Sequence, residues 1–299
     1  MNFELRQLEA FVAVAEELHF GRAASRLHIA QPALSQQILR LEATLGADLL
    51  VRQRRRTALS EAGRLFLVEA RRTLQQARVA QTVAQRAQRG ELGRLRIGYT
   101  PTASAQQFLQ LLGEFQRAVP EVDLSLSELP IGSIATPLRD DLVDIAFVVT
   151  LGQFDCDWLG EDIELRQLSC EAFVAAVPAG HRLADRAEID VADLADETFA
   201  FLSRDLCPHW FEMVAGVCRT AGFTPRLVHQ AGEVGTQLTL VAAGLGVALV
   251  QESARMLRGD GIAYLPIRHP VPRVSSGVAW RAADPSPVLG RFRAALPNC

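Results

Sequence analysis

The stretch from Phe20 to Leu49, FGRAASRLHIAQPALSQQILRLEATLGADL, constrains the fold more than any other, because it spells two short helices joined by a tight turn. In the second segment, about Pro32 to Leu45, Leu34, Ile38, Leu41 and Leu45 fall at i, i+4, i+7 and i+11. That spacing makes one apolar stripe of helical period, which faces a core. At about 100° per residue, Pro32, Gln36, Arg40 and Ala43 lie opposite with Ser35 on the flank, so the outward face is short, mostly polar and nearly free of acids. The preceding segment, about Gly21 to His28, turns Ala23, Ala24 and Leu27 inward. Its alanines permit the close crossing of about 90–120° that a helix-turn-helix needs. Pro32 suits a first helical turn, where a missing N–H costs nothing. Gln can pair with adenine, Arg with guanine and Ser with either, so the outward face carries contact types that read base edges. On spacing alone, two consecutive amphipathic helices also fit the corner of a helical bundle.

Residues 2 to 65 resemble the winged helix-turn-helix of the LysR-type transcriptional regulators. The resemblance is carried by Ala23–Ala24 in the first of these helices, QPALS at 31–35, the I..LE..LG spacing from Ile38 to Gly46, and the closing TALSEAG at 57–63. It implies that Gln31, Pro32, Ser35, Gln36 and Arg40 read or position double-stranded DNA. One position departs from the family, which usually has Ser where this chain has Ala30; a Ser there accepts a hydrogen bond from a free helix N–H, at a typical value of about 1 kcal/mol.

Charge divides the chain. Residues 1 to 90 hold 14 Arg against 8 acids, a net +6, while residues 91 to 299 hold 17 Arg against 26 acids, a net −9. A basic amino-terminal module joined to an acidic body fits a polyanion reader with a regulatory partner domain. With 299 residues and 49% hydrophobic content, the chain can bury two or more cores, and disorder is excluded. All 31 basic residues are Arg.

Glu4 and Glu9 break what would have to be the apolar core of an export peptide, and the longest near-apolar run, Leu238 to Val250, is too short for a span of about 20 residues. A soluble, cytoplasmic protein with no membrane partner is expected. Cys156, Cys170, Cys207, Cys218 and Cys299 form no C-x-x-C pair and leave an odd count, so reduced thiols are expected. A thiol redox switch is the alternative, with Cys207 and Cys218 as the pair it would use.

Leu5 to Leu18 reads as a first helix, with Leu8, Phe11, Val12, Ala15 and Leu18 facing the two helices above. After Gly46 come a short strand, a turn carrying Arg52, Arg54, Arg55 and Arg56, and a second strand through Leu59: a wing whose arginines meet phosphates or the minor groove. Ser60 then opens a helix to about Arg89, roughly 45 Å long. Its apolar positions, Leu65, Val68, Leu74, Ala77, Val83, Ala84 and Ala87, are spaced for an interhelical seam with a second copy. A dimer would present two recognition helices to two half-sites.

The remainder alternates strands (94–99, 122–128, 143–149, 168–177, 226–229, 247–250, 263–267 and 275–282) with helices (102–118, 132–141, 210–221, 234–243 and 286–296), which predicts parallel sheets with right-handed crossovers. The arrangement resembles the effector domain of the same family, itself similar to periplasmic solute-binding proteins. The expected organisation is thus an α+β multidomain chain: a winged helix-turn-helix over 1–59, a linker or dimerisation helix over 60–90, and a two-lobed α/β effector-binding domain over 91–299. Lobe I takes about 91–160 and 268–299, and lobe II about 161–267.

Ligands of such sheets sit at strand carboxyl ends, near helix N-termini that favour anions. Thr100, Pro101 and Thr102 follow the first strand of this half, and Ile131, Gly132 and Ser133 the second; Ser203 and Arg204 follow the strand ending in AFL, and Gly235 and Thr236 open a helix. Phe147 joins them as a candidate, although it and Trp210 also fit a core. The resemblance places these positions at the cleft where a small-molecule effector binds. Arg204 could pair with a carboxylate, or simply sit in solvent. Relatives that hold aromatic acids carry a hydroxyl where this chain has Ile131, so the resemblance leaves the ligand class open.

Catalysis has no candidate. AAGLGVALV lacks the third glycine of a dinucleotide fingerprint and precedes a strand, and the chain has no H-E-x-x-H, G-x-S-x-G or P-loop. No cofactor or metal is expected. The expectation is a regulator that forms a homodimer or homotetramer on a pseudo-palindromic operator, with RNA polymerase as a partner implied by the resemblance. The alternative is a solute-sensing protein whose amino-terminal helices serve protein contacts only.

Overall fold

The computed structural model describes residues 3–53, 56–100, 106–129, 134–151, 159–268 and 273–297. It divides into two units, residues 1–86 and 87–299.

The first unit contains α1 (Leu5–Glu17), α2 (Phe20–Arg26), α3 (Gln31–Leu45), β1 (Leu50–Gln53), β2 (Arg56–Leu59) and α4, which runs Glu61–Gln88 and carries on into the second unit. Leu8, Phe11 and Val14 of α1, Ala23 and Ala24 of α2, and Leu34, Ile38 and Leu41 of α3 are buried together. Leu18 departs from the expected inward face. The helix ends at Glu17, and Leu18 caps it in a left-handed conformation, its N–H bonded to the Val14 carbonyl at 2.8 Å and its side chain half exposed. Gly46 ends α3 at φ 66°, which suits a residue without Cβ.

Ser60 caps α4 as expected: its hydroxyl accepts from the Gly63 N–H at 2.8 Å and donates to the Asp48 carbonyl at 2.6 Å. At Gly63 the helix passes so close to the strand that a Cβ would lie 2.0 Å from the Leu49 carbonyl oxygen. The apolar positions of α4 fall on two faces rather than one seam. Gly63, Ala70 and Leu74 are buried, and Phe66 packs against Phe11 with ring centroids 5.4 Å apart. Leu65, Val68, Val79 and Val83 form a second stripe on the opposite side and are exposed. Leu74, expected in the outer seam, belongs to the inner face because it lies about 180° around the helix from Leu65.

The second unit contains β3 (Gly93–Tyr99), α5 (Gln106–Ala118), β4 (Val122–Glu128), α6 (Ala135–Arg139), β5 (Ile145–Leu151), β6 (Ile163–Pro178), β7 (Thr198–Leu202), α7 (Pro208–Thr220), β8 (Arg226–Ala231), α8 (Val234–Ala242), β9 (Ala248–Gln251), β10 (Ile262–Pro266), β11 (Arg273–Arg281) and α9 (Pro287–Ala295). The pairs β3–β4, β3–β5 and β7–β8 are parallel, as alternation predicts. The expectation of wholly parallel sheets is corrected by β6 and β11. β11 runs antiparallel to both β5 and β6, and β6 is antiparallel to β9 and β10.

β6 is sixteen residues long and belongs to both lobes. It pairs with β11 over Ile163–Ala172, then with β9 from Phe173 and β10 from Val174. Three hydrophobic clusters fill the lobes. Phe108, Phe115, Phe147, Trp280 and Phe292 lie on one side of the first lobe's sheet and Ile134, Leu138 and Leu159 on the other; Phe199, Phe201, Leu238 and Val241 belong to the second lobe.

Register then fixes where the strand ends point. Val274 of β11 sits opposite both Leu151, the last residue of β5, and Glu171 of β6. Just beyond, Phe173 pairs with Gln251, the last residue of β9. A bridge between Phe199 and Val247 makes β7 parallel to β9, and β8 is parallel to β7. The carboxyl ends of β3–β5 and of β7–β9 therefore face each other across the Cys170–Phe173 segment of β6.

Candidate nucleic-acid interface and ligand cleft

On α3, Gln31, Pro32, Gln36 and Arg40 are exposed and Ser35 is half buried. The helix begins at an Ala30 cap that makes no side-chain hydrogen bond. The Arg40 guanidinium forms no ion pair among the described residues. The acids nearby are turned inward or already engaged. Glu42 accepts the N–H groups of Leu49 and Leu50 at 2.8 and 3.1 Å, and Glu17 holds Arg22 at 3.0 Å. Glu16 holds both Arg71 of α4 and Arg26 of α2 at 2.7 Å; these two arginines, Arg71 foremost, keep its carboxyl below the ordinary range. The outward face of α3 can thus offer donors and a cation to a polyanion with little local repulsion.

The wing strands pair Arg52 with Thr57 and Gln53 with Arg56, so Arg52 and Arg56 sit on the two strands that lead into the turn. Arg54 and Arg55 lie outside the described residues.

In the second unit, Thr100 is 2% exposed at the end of β3, where its N–H donates to the Phe147 carbonyl at 3.4 Å. Pro101, Thr102, Ile131, Gly132 and Ser133 lie outside the described residues. The Phe147 side chain is 1% exposed, edge-on to Phe108 at 4.4 Å and to Phe292 at 6.3 Å. It packs in the core instead of lining the cleft, because its strand turns that side chain toward α5 and α9. Trp210 is buried too, against Phe173 at 5.3 Å, and its indole N–H has no hydrogen-bond partner among the described residues.

The other lobe's candidates come together at one edge. Ser203 donates its N–H to the Ala231 carbonyl at 2.8 Å, tying the ends of β7 and β8, and Gly235 and Thr236 begin α8 directly after β8. The Thr236 hydroxyl donates to Glu233 at 3.3 Å. Arg204 is exposed but engaged: its guanidinium pairs with Glu212 at 2.7 Å and lies 5.5 Å from the Phe211 ring centre. A carboxylate arriving there would have to compete with Glu212.

Sequence reading missed the segment where β6 crosses between lobes. Glu171 accepts from the Ser253 N–H at 2.6 Å and its hydroxyl at 2.8 Å, and Arg273 donates through Nε to the Cys170 sulfur at 3.1 Å. That arginine lowers the Cys170 thiol pKa. The partners are 82 and 103 residues apart in sequence, so no local spacing announces them.

Cys207 precedes α7 and Cys218 lies on it, about 16 Å away along the axis. The pair cannot form a disulfide, which needs Cα atoms within about 7 Å. Burial also pushes their thiols up to about 11 and about 12. Cys156 and Cys299 lie outside the described residues.

Residues 5–64 match the family model of the bacterial regulatory helix-turn-helix protein, lysR family, and residues 88–298 match the LysR substrate binding domain. The chain is 35% identical over 300 residues to the HTH-type transcriptional regulator YnfL of Escherichia coli, covering 100% of this chain and 99% of that one. It is 32% identical to AlsR of Bacillus subtilis, covering 99% and 96%. Among solved structures it is similar to full-length CbnR complexed with its target DNA, with 28% identity, a TM-score of 0.81 and 98% of each chain covered. No helix of the described residues is long and apolar enough to cross a membrane.

Proposed function

Since this chain belongs to the LysR family of DNA-binding transcriptional regulators, we propose that its α3 enters the major groove with Gln31, Pro32, Ser35, Gln36 and Arg40 foremost. Arg52, Arg54, Arg55 and Arg56 of the wing then supply phosphate contacts. The observation that carries this reading is Arg40, without an ion pair among the described residues, on an outward face near which Glu42 and Glu16 are already engaged. Base-edge contacts from this face set which sequence is bound, and the wing sets salt-dependent affinity.

The exposed stripe Leu65, Val68, Val79 and Val83 pairs α4 with its copy in a homodimer, and two dimers make a tetramer that addresses a pseudo-palindromic operator. Functionally, 1–59 binds DNA, 60–90 links and dimerises, and 91–299 binds the effector. A small molecule enters where the carboxyl ends of β3–β5 face those of β7–β9, beside Thr100, Ser203, Gly235 and Thr236. Pro101, Thr102, Ile131, Gly132 and Ser133 complete that lining. A carboxylate fits the helix N-termini that open there, and Arg204 would engage it by giving up Glu212. The ligand shifts the protein between subunit arrangements by its differential affinity for them. The protein works in the cytoplasm, contacts RNA polymerase and carries no catalytic activity.

A gel shift with the DNA upstream of its own gene, at fixed salt, tests the reading. Two occupied half-sites per complex are expected. A protein that dimerises yet binds no DNA would instead favour the solute-sensing alternative. Thermal-shift screening against small carboxylates and aromatic acids tests the cleft, since a ligand of the folded state raises the unfolding temperature.

A further inference from the structure

Beside Gln36 and Arg40, the outward face of α3 presents a large apolar side chain. Leu39 is 53% exposed, while Leu34, Ile38 and Leu41 of the same helix are fully buried. At about 100° per residue it lies within about 20–60° of Pro32, Gln36 and Ala43 around the axis, on the side opposite the core stripe. Pro32 and Ala43 are exposed too, so a narrow apolar strip runs beside the polar one. Exposed leucines are common on protein surfaces and by themselves mean little. This one stands on the face that meets DNA, in a position where an apolar group has one natural partner in the major groove: the C5-methyl of thymine.

We propose that Leu39 is a specificity-determining residue that packs on a thymine methyl in each half-site. It sits about 4.5 Å further along the helix than Gln36, close to one base step of about 3.4 Å. Gln36 bonds an adenine edge, and Leu39 covers the methyl of a thymine about one step away. The pair makes the site select an A·T-rich step that neither residue would fix alone. Cytosine offers no methyl at that place and a donor instead of an acceptor.

The inference rests on α3 entering the groove, as read above, and the test separates the two. The full-length protein is titrated with its upstream operator, in which the thymines of one half-site are replaced singly by deoxyuridine, which pairs identically but lacks the methyl. One replacement is expected to weaken wild-type binding about fourfold, the equivalent of one buried methyl. Leu39→Ala is expected to bind the unmodified operator several-fold more weakly and to lose all sensitivity to that replacement. Leu39→Met, which keeps an apolar reach, retains the sensitivity and so guards against a misfolded variant. The proposal is overturned if no thymine shows the effect, or if Leu39→Ala remains as sensitive to deoxyuridine as wild type. If Gln36→Ala and Arg40→Ala weaken binding in that same outcome, only the Leu39 assignment fails. Should those two variants also bind normally, the placement of α3 in the groove fails with it.

Discussion

Arg40 on α3 and Arg204 before α7 are both exposed arginines on surfaces suited to an anion, yet the fold treats them in opposite ways. Arg204 is matched to Glu212 and lies over Phe211. Arg40 forms no ion pair among the described residues, while Glu42 is bonded to the wing backbone and Glu16 and Glu17 to other arginines. The amino-terminal unit engages most of its acids on its own scaffold, Glu16, Glu17 and Glu42 among them, and leaves Arg40 on the outside. The carboxyl-terminal unit, with a net −8, pairs many of its cations internally: Arg96 with Asp144, Arg139 with Asp162, Arg268 with Glu188. An arginine left without an internal partner can meet an outside anion at once, whereas one already paired must first give up its partner.

That contrast can be broken or sharpened by substitution. The largest effect is expected from Leu34→Ala in the α3 core, which should cost about 3–5 kcal/mol. Denaturant unfolding should show the transition of residues 1–86 moved and that of residues 87–299 unchanged; a shared shift would mean that the units do not fold separately. Next, Gln36→Ala or Arg40→Ala should weaken operator binding by about 1–3 kcal/mol, roughly 5- to 150-fold, whereas Arg204→Ala should leave DNA affinity unaltered. Arg54→Ala or Arg55→Ala should weaken all DNA about equally and flatten the salt dependence by about one unit of slope. Titration at several salt concentrations distinguishes these.

A smaller gain is expected from Ala30→Ser, which gives α3 the hydroxyl cap it lacks and should add about 1 kcal/mol to unfolding stability. The smallest effect belongs to Glu16, whose folded pKa is depressed by Arg71 and Arg26. Its stabilisation is present above the unfolded value of 4.5 and is lost as pH falls through the lower folded value, with an amplitude under about 1 kcal/mol. The stability difference between wild type and Glu16→Gln should therefore be largest near pH 7 and shrink as pH falls below 4.5, measured by unfolding across that range.

The same two regions differ in how far their residues announce the fold. The three-helix unit is legible because each helix carries its own stripe, as Leu34, Ile38 and Leu41 do, and because Pro32, Gly46 and Ser60 punctuate the ends. Strand positions in the second unit were legible for the same local reason, but their pairing was not. Whether β11 lies parallel or antiparallel to β5, and how far β6 reaches, depends on partners about a hundred residues away. Of the candidate ligand site, local spacing placed Ser203 at the end of β7, where it bonds the end of β8, and Gly235 at the start of α8, while Phe147 turned inward and the contacts of Cys170 and Glu171 went unseen. On α3, the polar count of the outward face passed over Leu39, which shares that side with Gln36.

Hydroxyl-radical footprinting of the intact protein on the DNA upstream of its gene tests the central claim most directly. Two protected patches on one face of the duplex are predicted, their centres separated by whole helical turns of about 10.5 bp, and both should be lost with Arg40→Ala at moderate salt. A complex that protects a single unphased stretch, or one whose protection is unchanged by loss of the Arg40 and Gln36 side chains, would contradict it.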